Sequence, residues 1–478
     1  MNGPYGSMAP EREQRVAFTG GEVPVAVYGL GKMGLPLSAV YAEVTGNVIG
    51  VDVDPAVVET VEDGECHVTG EPGLPELLRE QVDRDRLRAT TDGPAAAREA
   101  SVHVIIVPTL LEDDGDPDLS TVEAVAGDIA QGLSPGDLVV LESTVPPGTC
   151  RDVLRPYLED RADLERGEFG VAFCPERTSS GRALRDIRES YPKVVGGVDD
   201  ESARVASLLY DEITAEEVHV VSDATTAEAV KVFEGVYRDV NIALANELGR
   251  LAAEFSISVR EAIATANELP VCDLHDPGPG VGGHCIPTYP HFLFSRTTEP
   301  MELTQAARRV NEGMPAYTVS LLEDALADEG LTLAESSVLV LGLTYRPGVE
   351  ETRSSPALVV LEELEDRDAE VYASDPLVDP EEYGASAVSP EEIPDLEVDA
   401  VVAVTPHEEF DTIEWNDLEP TIVLDGRDAL DLTGSPHRVV TLGGSTSDPE
   451  TIEPPGEIDA GGCREEWLGR QKGQASRR

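Results

Sequence analysis

Lysine is nearly absent from this chain. Four lysines (Lys32, Lys193, Lys231 and Lys472) stand among 478 residues; the chain's 35 basic side chains, the rest of them arginine, face 93 Asp and Glu, for a formal net charge of −58. So little positive charge excludes a long basic nucleic-acid face, because a phosphate polyanion would be repelled. Cysteine is sparse too. Six residues (Cys66, Cys150, Cys174, Cys272, Cys285 and Cys463) are too few for a disulfide scaffold at this length, and reduced thiols fit better. Long apolar runs are missing: no stretch of 18 apolar residues exists, and Met1 to Gly21 lacks a charged-then-apolar signal pattern, so no membrane association is expected. Hydrophobic residues still make up 41% of the chain, enough to fill cores, so the acidity does not mean disorder. The expected location is cytoplasmic, in a high-salt cytosol. Molar salt screens a carboxylate-rich surface over about 3 Å.

The length suggests two to four domains. Residues 1–22 read as an irregular polar extension. From Val23 the pattern becomes strand, turn, helix: Val25–Tyr28, a glycine-rich turn, a helical stretch to about Thr45, then a buried strand Val48–Val51 ending at Asp52. Val102–Val107 and Leu138–Leu141 continue the series, which closes near Val218–Val221. Such alternation predicts a parallel, doubly wound sheet over 23–221. Between Asp223 and Phe255 no proline or turn cluster appears. Phe233, Tyr237, Val240, Leu244, Leu248 and Leu251 recur at three- and four-residue steps, which predicts one long amphipathic helix opening a helical domain over 222–330. Alternation returns over 331–443, with strands at Val338–Leu341, Glu370–Tyr372, Ala400–Val404 and Ile422–Leu424; residues 444–478 read as an acidic, polar tail. The expected fold class is α/β: two doubly wound, Rossmann-like parallel-sheet domains joined by a central helical domain.

The turn after the first strand is Gly29-Leu-Gly31-Lys-Met-Gly34. Alone, that spacing is weak evidence. Here it follows a strand, opens a helix, and precedes an acid at the end of the next strand. Gly29 permits the tight turn, Gly31 lets the backbone approach a pyrophosphate, and Gly34 allows close helix–strand packing. Free N–H groups at the helix start favour the anion. Asp52 can accept hydrogen bonds from a ribose 2′-OH and would repel a 2′-phosphate, so the expected cofactor is NAD, not NADP.

The loop Pro277-Gly-Pro-Gly-Val-Gly-Gly-His-Cys-Ile-Pro287 puts four glycines beside a cysteine, which suggests backbone wrapped closely around a ligand. Cys285 can present a thiolate there, with backbone N–H groups near for an oxyanion. Two plainer readings compete. Most single cysteines are small buried hydrophobes. Alternatively, Cys272, His275, His284 and Cys285 could ligate zinc, but their spacing closes a tetrahedron poorly, so no metal is expected. Lys231 lies inside the long helix, and Lys231, Gly235 and Arg238 share a face there. A lysine, a gap and an arginine could accommodate an anionic ligand; a solvated helix face is the plainer reading.

Taken together, these residues resemble the UDP-glucose/GDP-mannose dehydrogenase family, above all its UDP-N-acetyl-D-mannosamine dehydrogenase branch. The likeness runs from Val23 to about Asp428. It rests on Gly29-Leu-Gly-Lys-Met-Gly-Leu-Pro36, Val107-Pro-Thr109, Glu142-Ser-Thr144, Cys174-Pro-Glu-Arg177, the run Arg238–Leu248, Gly282-Gly-His-Cys285, Gly342-Leu-Thr-Tyr-Arg-Pro347 and Arg353. The resemblance implies an N-terminal NAD domain, a helical middle that builds a homodimer or higher homo-oligomer, and a C-terminal domain that holds a UDP-sugar substrate. It implies two NAD-dependent oxidations of the sugar C6 alcohol to a carboxylate, passing through a Cys285 thiohemiacetal and thioester. Lys231 matches the family's acid/base lysine. Thr109, Thr144 and Arg353 match cofactor-contacting positions; Glu176, Arg177, Arg238, Gly282, Tyr345, Arg346 and Arg427 match positions around the nucleotide sugar.

Three departures stand out. The family carries Asn four residues after the lysine and Asp four residues after the cysteine; here these are Gly235 and Tyr289. The branch's His-Pro-Arg before the glycine loop is Leu269-Pro270-Val271. The expected reaction is oxidation of UDP-N-acetyl-D-mannosamine to its uronate. The alternatives are a UDP-glucose 6-dehydrogenase and a non-catalytic relative that has lost its chemistry through Gly235 and Tyr289. A simpler two-domain β-hydroxyacid dehydrogenase is disfavoured by Cys285 and the third domain.

Overall fold

The computed structural model describes residues 3–112 and 114–444. The polar tail expected over 444–478 lies, apart from Gly444, outside the described residues.

The N-terminal sheet contains β1 (Val25–Tyr28), β2 (Val48–Val51), β3 (Leu87–Thr90), β4 (Val102–Ile105), β5 (Leu138–Leu141), β6 (Gly170–Phe173), β7 (Lys193–Gly197) and β8 (Val218–Val220), in the order β8-β7-β6-β5-β4-β1-β2-β3. Helices cover both faces, so the inner strands are buried on both sides and read as unbroken apolar runs. Alternate residues feed different cores: Val25 and Val27 pack to one side, Ala26 and Tyr28 to the other. One departure from a purely parallel sheet occurs near its edge, where β7 runs antiparallel to β6. The connection between them carries a three-residue helix and a π-turn.

Residues 1–22 are not irregular throughout. Glu11–Thr19 form a helix (α1) that buries Phe18, and Arg15 ties it to Asp211 at 2.7 Å and Glu212 at 2.6 Å. The helix after the glycine turn, α2, spans Gly34–Thr45.

The C-terminal sheet is parallel throughout: β9 (Ser337–Leu341), β10 (Glu370–Ser374), β11 (Ser386–Ala387), β12 (Ala400–Ala403), β13 (Ile422–Asp425) and β14 (Arg438–Thr441), in the order β11-β10-β9-β12-β13-β14. Its opening repeats that of the first sheet. Gly29 and Gly342 both have positive φ, +101° and +83°. Each donates its N–H to the end of the neighbouring strand, and the next residue donates to an acid: Leu30 to Asp52 at 2.8 Å, Leu343 to Asp375 at 2.6 Å.

Between the sheets runs α3 (Ala224–Gly249), 26 residues long, with Asp223 capping its N-terminus by accepting from the Thr226 N–H. The expected helix thus breaks at Gly249, and Ala252–Phe255 form a separate short turn. Half of the apolar stripe read from the sequence faces outward: Phe233, Tyr237 and Leu244 are 58%, 56% and 43% exposed, while Val240, Leu248 and Leu251 are half-buried. The buried side is instead Val232, Gly235, Asp239, Ala243 and Asn246. There Asp239 pairs with Arg308 at 2.5 Å and accepts from Asn311 at 2.8 Å, both on a neighbouring helix spanning Glu302–Glu312.

Candidate active site

The cofactor side is built by the turn between β1 and α2. A Cβ on Gly29 would lie 2.5 Å from the Ile106 carbonyl oxygen, and one on Gly34 would lie 1.9 Å from the Gly29 oxygen, so neither position tolerates a side chain. Gly31 is different. A Cβ there would meet nothing within 4 Å, which leaves its backbone open to an approaching ligand. No side chain caps the N-terminus of α2; Leu35 already donates to the Gly31 carbonyl at 3.0 Å and residue 36 is proline, so the N–H groups left for a pyrophosphate are those of the glycine turn and Gly34. Asp52 is oriented by the Leu30 N–H (2.8 Å) and the Asp54 N–H (3.0 Å), and its carboxylate is partly exposed beyond β2. Thr109 Oγ1 is buried without a hydrogen-bond partner among the described residues. An open glycine, uncapped helix start, oriented acid and orphaned hydroxyl fit a dinucleotide.

Three loops meet α3 near its N-terminal third. Glu228, buried, accepts from the Gly148 N–H at 2.5 Å and the Cys150 N–H at 2.7 Å, fixing the segment that follows Thr144. Lys231, half-buried, donates from Nζ to the Glu176 backbone carbonyl. Arg177, next in that loop, pairs with Glu234 at 2.7 Å and donates to the Pro192 carbonyl at 3.1 Å. One turn beyond Lys231, Gly235 is covered by the Tyr289 ring, so the gap expected between Lys231 and Arg238 is filled rather than open. Arg238 stands exposed on the far side of that ring contact. The face shared by Lys231, Gly235 and Arg238 is therefore not one continuous anion site within this chain.

The glycine loop is held from both ends. At its start the Gly278 N–H donates to Asn246 on α3 at 2.9 Å, and Asn246 in turn donates to Asn311 at 2.9 Å. At its end the Tyr289 N–H donates to the Cys285 carbonyl at 3.0 Å, opening a short helix, α4 (Tyr289–Phe294). Cys285 is exposed. The C-terminal domain closes over the loop. A Cβ on Gly282 would lie 2.7 Å from Tyr345 Cβ, and one on Gly278 would lie 2.3 Å from Arg427 Nη1. Arg427 donates to the Gly280 carbonyl at 3.1 Å; burial, with Arg260 beside it, lowers its pKa to about 10, so it stays cationic near neutrality. Arg346 is exposed and reaches the Ser180 carbonyl at 3.4 Å. Arg353 lies 3.2 Å from His284, the neighbour of Cys285, and its carbonyl accepts from the Gly283 N–H at 2.9 Å.

Family models match all three parts of the chain in order. Residues 23–214 match the NAD-binding domain of the UDP-glucose/GDP-mannose dehydrogenase family, 225–313 its central domain and 339–432 its UDP-binding domain. The chain belongs to this family. It is an NAD-dependent nucleotide-sugar dehydrogenase. Among its relatives, a UDP-N-acetyl-D-mannosamine dehydrogenase of Pyrococcus horikoshii is 37% identical over 411 residues, covering 85% of this chain and 96% of the relative. An NDP-N-acetyl-D-galactosaminuronic acid dehydrogenase of Ralstonia nicotianae is 34% identical over 84% of this chain and 95% of its own. The solved UDP-D-ManNAc dehydrogenase from Pyrococcus horikoshii superposes with a TM-score of 0.82 at 36% identity, covering 88% of this chain and 99% of that one.

In this family member, the sequence reading overlooked a polar cluster that spans the cleft. Glu351 lies 3.0 Å from His284 and 3.5 Å from Lys32, linking the C-terminal domain, the cysteine loop and the dinucleotide turn. Burial opposes the charge on Glu351, but His284, Lys32 and Arg353 outweigh it and hold the carboxyl below its usual range. The available signal was the rarity of Lys32 inside the glycine turn. Among the described residues, no group of three or more His, Cys, Asp or Glu is placed to hold a metal ion. No helix of the described residues is long and apolar enough to cross a membrane.

Proposed function

We propose that the enzyme oxidises the C6 alcohol of a UDP-linked N-acetylated hexosamine to the uronate in two steps, with UDP-N-acetyl-D-mannosamine as the preferred substrate. The observation that carries this reading is the convergence on α3: the loop bearing Glu176 docks on Lys231, and the helix following Cys285 docks one turn further on, at Gly235. A nucleophile and a proton-exchanging amine therefore border one cleft. Gly31, Asp52, Thr109, Thr144 and Arg353 hold the cofactor, and NAD+ bound there accepts a hydride in each oxidation. Lys231 takes the hydroxyl proton of C6 as the aldehyde forms. The Cys285 thiolate then bonds to C6, the carbonyl π pair moves to oxygen, and Lys231 returns the proton to that oxygen. The resulting thiohemiacetal keeps the aldehyde from escaping before the second oxidation. Lys231 again takes the oxygen's proton as the thioester forms, and water releases the uronate with the thiolate as leaving group.

The relatives named for N-acetylated sugars support this substrate class. Arg177, Tyr345, Arg346 and Arg427 line the nucleotide-sugar side, with Glu176 and Gly282 shaping it. A few local arginines outweigh a distant, screened negative field, so a −58 chain can still bind a diphosphate. The exposed Phe233, Tyr237 and Leu244 form a dimer seam, with Arg238 beside it. The acid excess and scarcity of lysine suit a cytosol at molar salt, and the uronate feeds surface-glycan assembly. Incubation with NAD+ and a panel of UDP- and GDP-sugars in molar KCl tests the reading. Two NADH and one carboxylate per UDP-N-acetylmannosamine are expected, with UDP-glucose slower. One NADH with free aldehyde refutes the covalent route; no turnover of any sugar, with NAD+ bound, refutes the enzyme reading. Activity that rises between 0.1 and about 2 M KCl supports the location.

A further inference from the structure

Gly235 and Tyr289 are a single structural unit. An ideal Cβ at Gly235 would lie 2.1 Å from Tyr289 Cδ2, 2.9 Å from Cγ and 3.0 Å from Cε2, so the ring occupies the volume that any side chain at 235 would need. The ring is buried, packed among Val232 and Phe292. Its hydroxyl lies 3.3 Å from Thr144 Oγ1 and adjoins the Cys285 thiol. Tyr289 therefore reaches from α3 across to the two loops that border the reacting sulfur. Burial, reinforced by the Cys285 thiol, pushes the phenol well above its ordinary value, so it carries its proton throughout. It can donate a hydrogen bond and cannot serve as a base near neutrality.

We infer that the Tyr289 hydroxyl is the hydrogen-bond donor to the oxygen of the Cys285-bound intermediates, and that Gly235 is required to seat it. This inference rests on the thiohemiacetal route above. When the thiolate sulfur bonds to C6, the C=O π pair becomes an oxyanion lone pair. Tyr289 O–H points its proton at that oxygen, and the Thr144 hydroxyl donates to the phenol oxygen behind it. The proton stays on Tyr289; Lys231 supplies the one that is transferred. The same donor serves the tetrahedral oxyanion formed when water adds to the thioester, until the C–S bond breaks and the sulfur leaves as thiolate. A donor fixed in place by its own packing stabilises such charge without having to reorganise as the charge develops. The glycine and the tyrosine, each a departure from the family pattern, are thus one replacement: a ring from α4 delivers the donor that a side chain at 235 cannot.

Tyr289→Phe keeps the ring over Gly235 and removes only the hydroxyl. Its kcat is expected to fall about 100-fold with KM for the UDP-sugar changed less than about threefold. The seating claim has its own readout. Gly235→Asn alone must collide with the ring, so its thermal midpoint should fall below the wild type, and Gly235→Asn combined with Tyr289→Asp should recover it. A Tyr289→Phe enzyme with kcat within twofold of wild type overturns the donor role, and a double variant no more stable than Gly235→Asn overturns the seating. Wild-type protein that turns over no sugar refutes the underlying reaction instead, which the wild-type NADH count decides separately.

Discussion

Lys231 donates from Nζ to the main-chain carbonyl of Glu176, not to a carboxylate. A carbonyl partner aims the amine without pairing it with an opposite charge. The bond also pins the Cys174–Arg177 loop to α3, an attachment doubled by the Arg177–Glu234 pair. Replacing Lys231 by alanine is expected to lower kcat for both oxidations by about 100- to 10,000-fold, the range for a lost general acid–base group. Lys231→Arg should do little better, because guanidinium does not give up its proton near neutrality. NAD+ affinity, read by fluorescence titration, should stay within a fewfold of wild type. A Lys231→Ala enzyme with wild-type turnover sinks the assignment.

The role proposed for Asp52 is to select the cofactor by charge. Both its oxygens are held by backbone N–H groups, so the carboxylate cannot swing away from a bound ribose. Asp52→Asn removes the repulsion that a 2′-phosphate would meet and places an amide donor against backbone donors. The expected outcome is a KM for NAD+ raised about tenfold, equivalent to about 1.4 kcal/mol, and an NAD+/NADP+ preference lowered by at least as much. Steady-state kinetics with each cofactor checks it; an unchanged preference would show that Asp52 does not read the ribose.

What was legible in the sequence follows the physics of each element. Strands buried on both faces, such as Val25–Tyr28, Val48–Val51 and Leu138–Leu141, announce themselves as apolar runs. Leu87–Thr90 and Arg438–Thr441 do not, because each carries an arginine along a partly exposed edge. Lys193–Gly197 hides for another reason: its lysine is buried and two of its five positions are glycine. Periodicity located α3 but not the face it buries most deeply. A repeat of large apolar residues says that a helix has two faces; it cannot say that the small, polar face, with Asp239 and Asn246, is the one this chain buries. At the site, local motifs exposed Cys285, Lys231 and the glycine turn. The contact of Gly235 with Tyr289 was invisible, since it is made by residues distant in sequence that meet only when the glycine loop folds back on α3.

The outward part of the α3 stripe makes a prediction of its own. Phe233, Tyr237 and Leu244 form an exposed stripe on a helix whose other side is already packed. Fully burying a large apolar side chain contributes roughly 1.5–3 kcal/mol, and these three are about half exposed, so covering them adds a few kcal/mol to an interface between two copies. Phe233→Glu combined with Tyr237→Glu should raise the dimer dissociation constant by at least about 100-fold, or about 2.7 kcal/mol. Analytical ultracentrifugation in molar KCl reads this directly. Wild-type protein that sediments as a monomer, or a double variant that stays dimeric, would remove the stripe as the seam.

Glu142 supplies a test of stability that is independent of catalysis. It is buried at the end of β5, where one oxygen accepts from the Tyr210 hydroxyl at 2.5 Å and the other has no partner among the described residues. Burial pushes its pKa from 4.5 up to about 7; the Lys193 ammonium and the Tyr210 bond pull against that rise without cancelling it. A carboxyl whose folded pKa is raised favours the folded state while protonated. Its contribution is full below pH 4.5 and is lost as the pH climbs through about 7, on the order of 3 kcal/mol in all. Glutamine at this position cannot titrate. Urea unfolding at fixed KCl, repeated from pH 4.5 to 8, should therefore show wild type losing stability relative to Glu142→Gln across that window. Using the difference between the two proteins cancels the many other carboxylates. Parallel curves for the two would mean that Glu142 ionises in the folded protein as readily as in the unfolded chain, and that Lys193 fully compensates its burial.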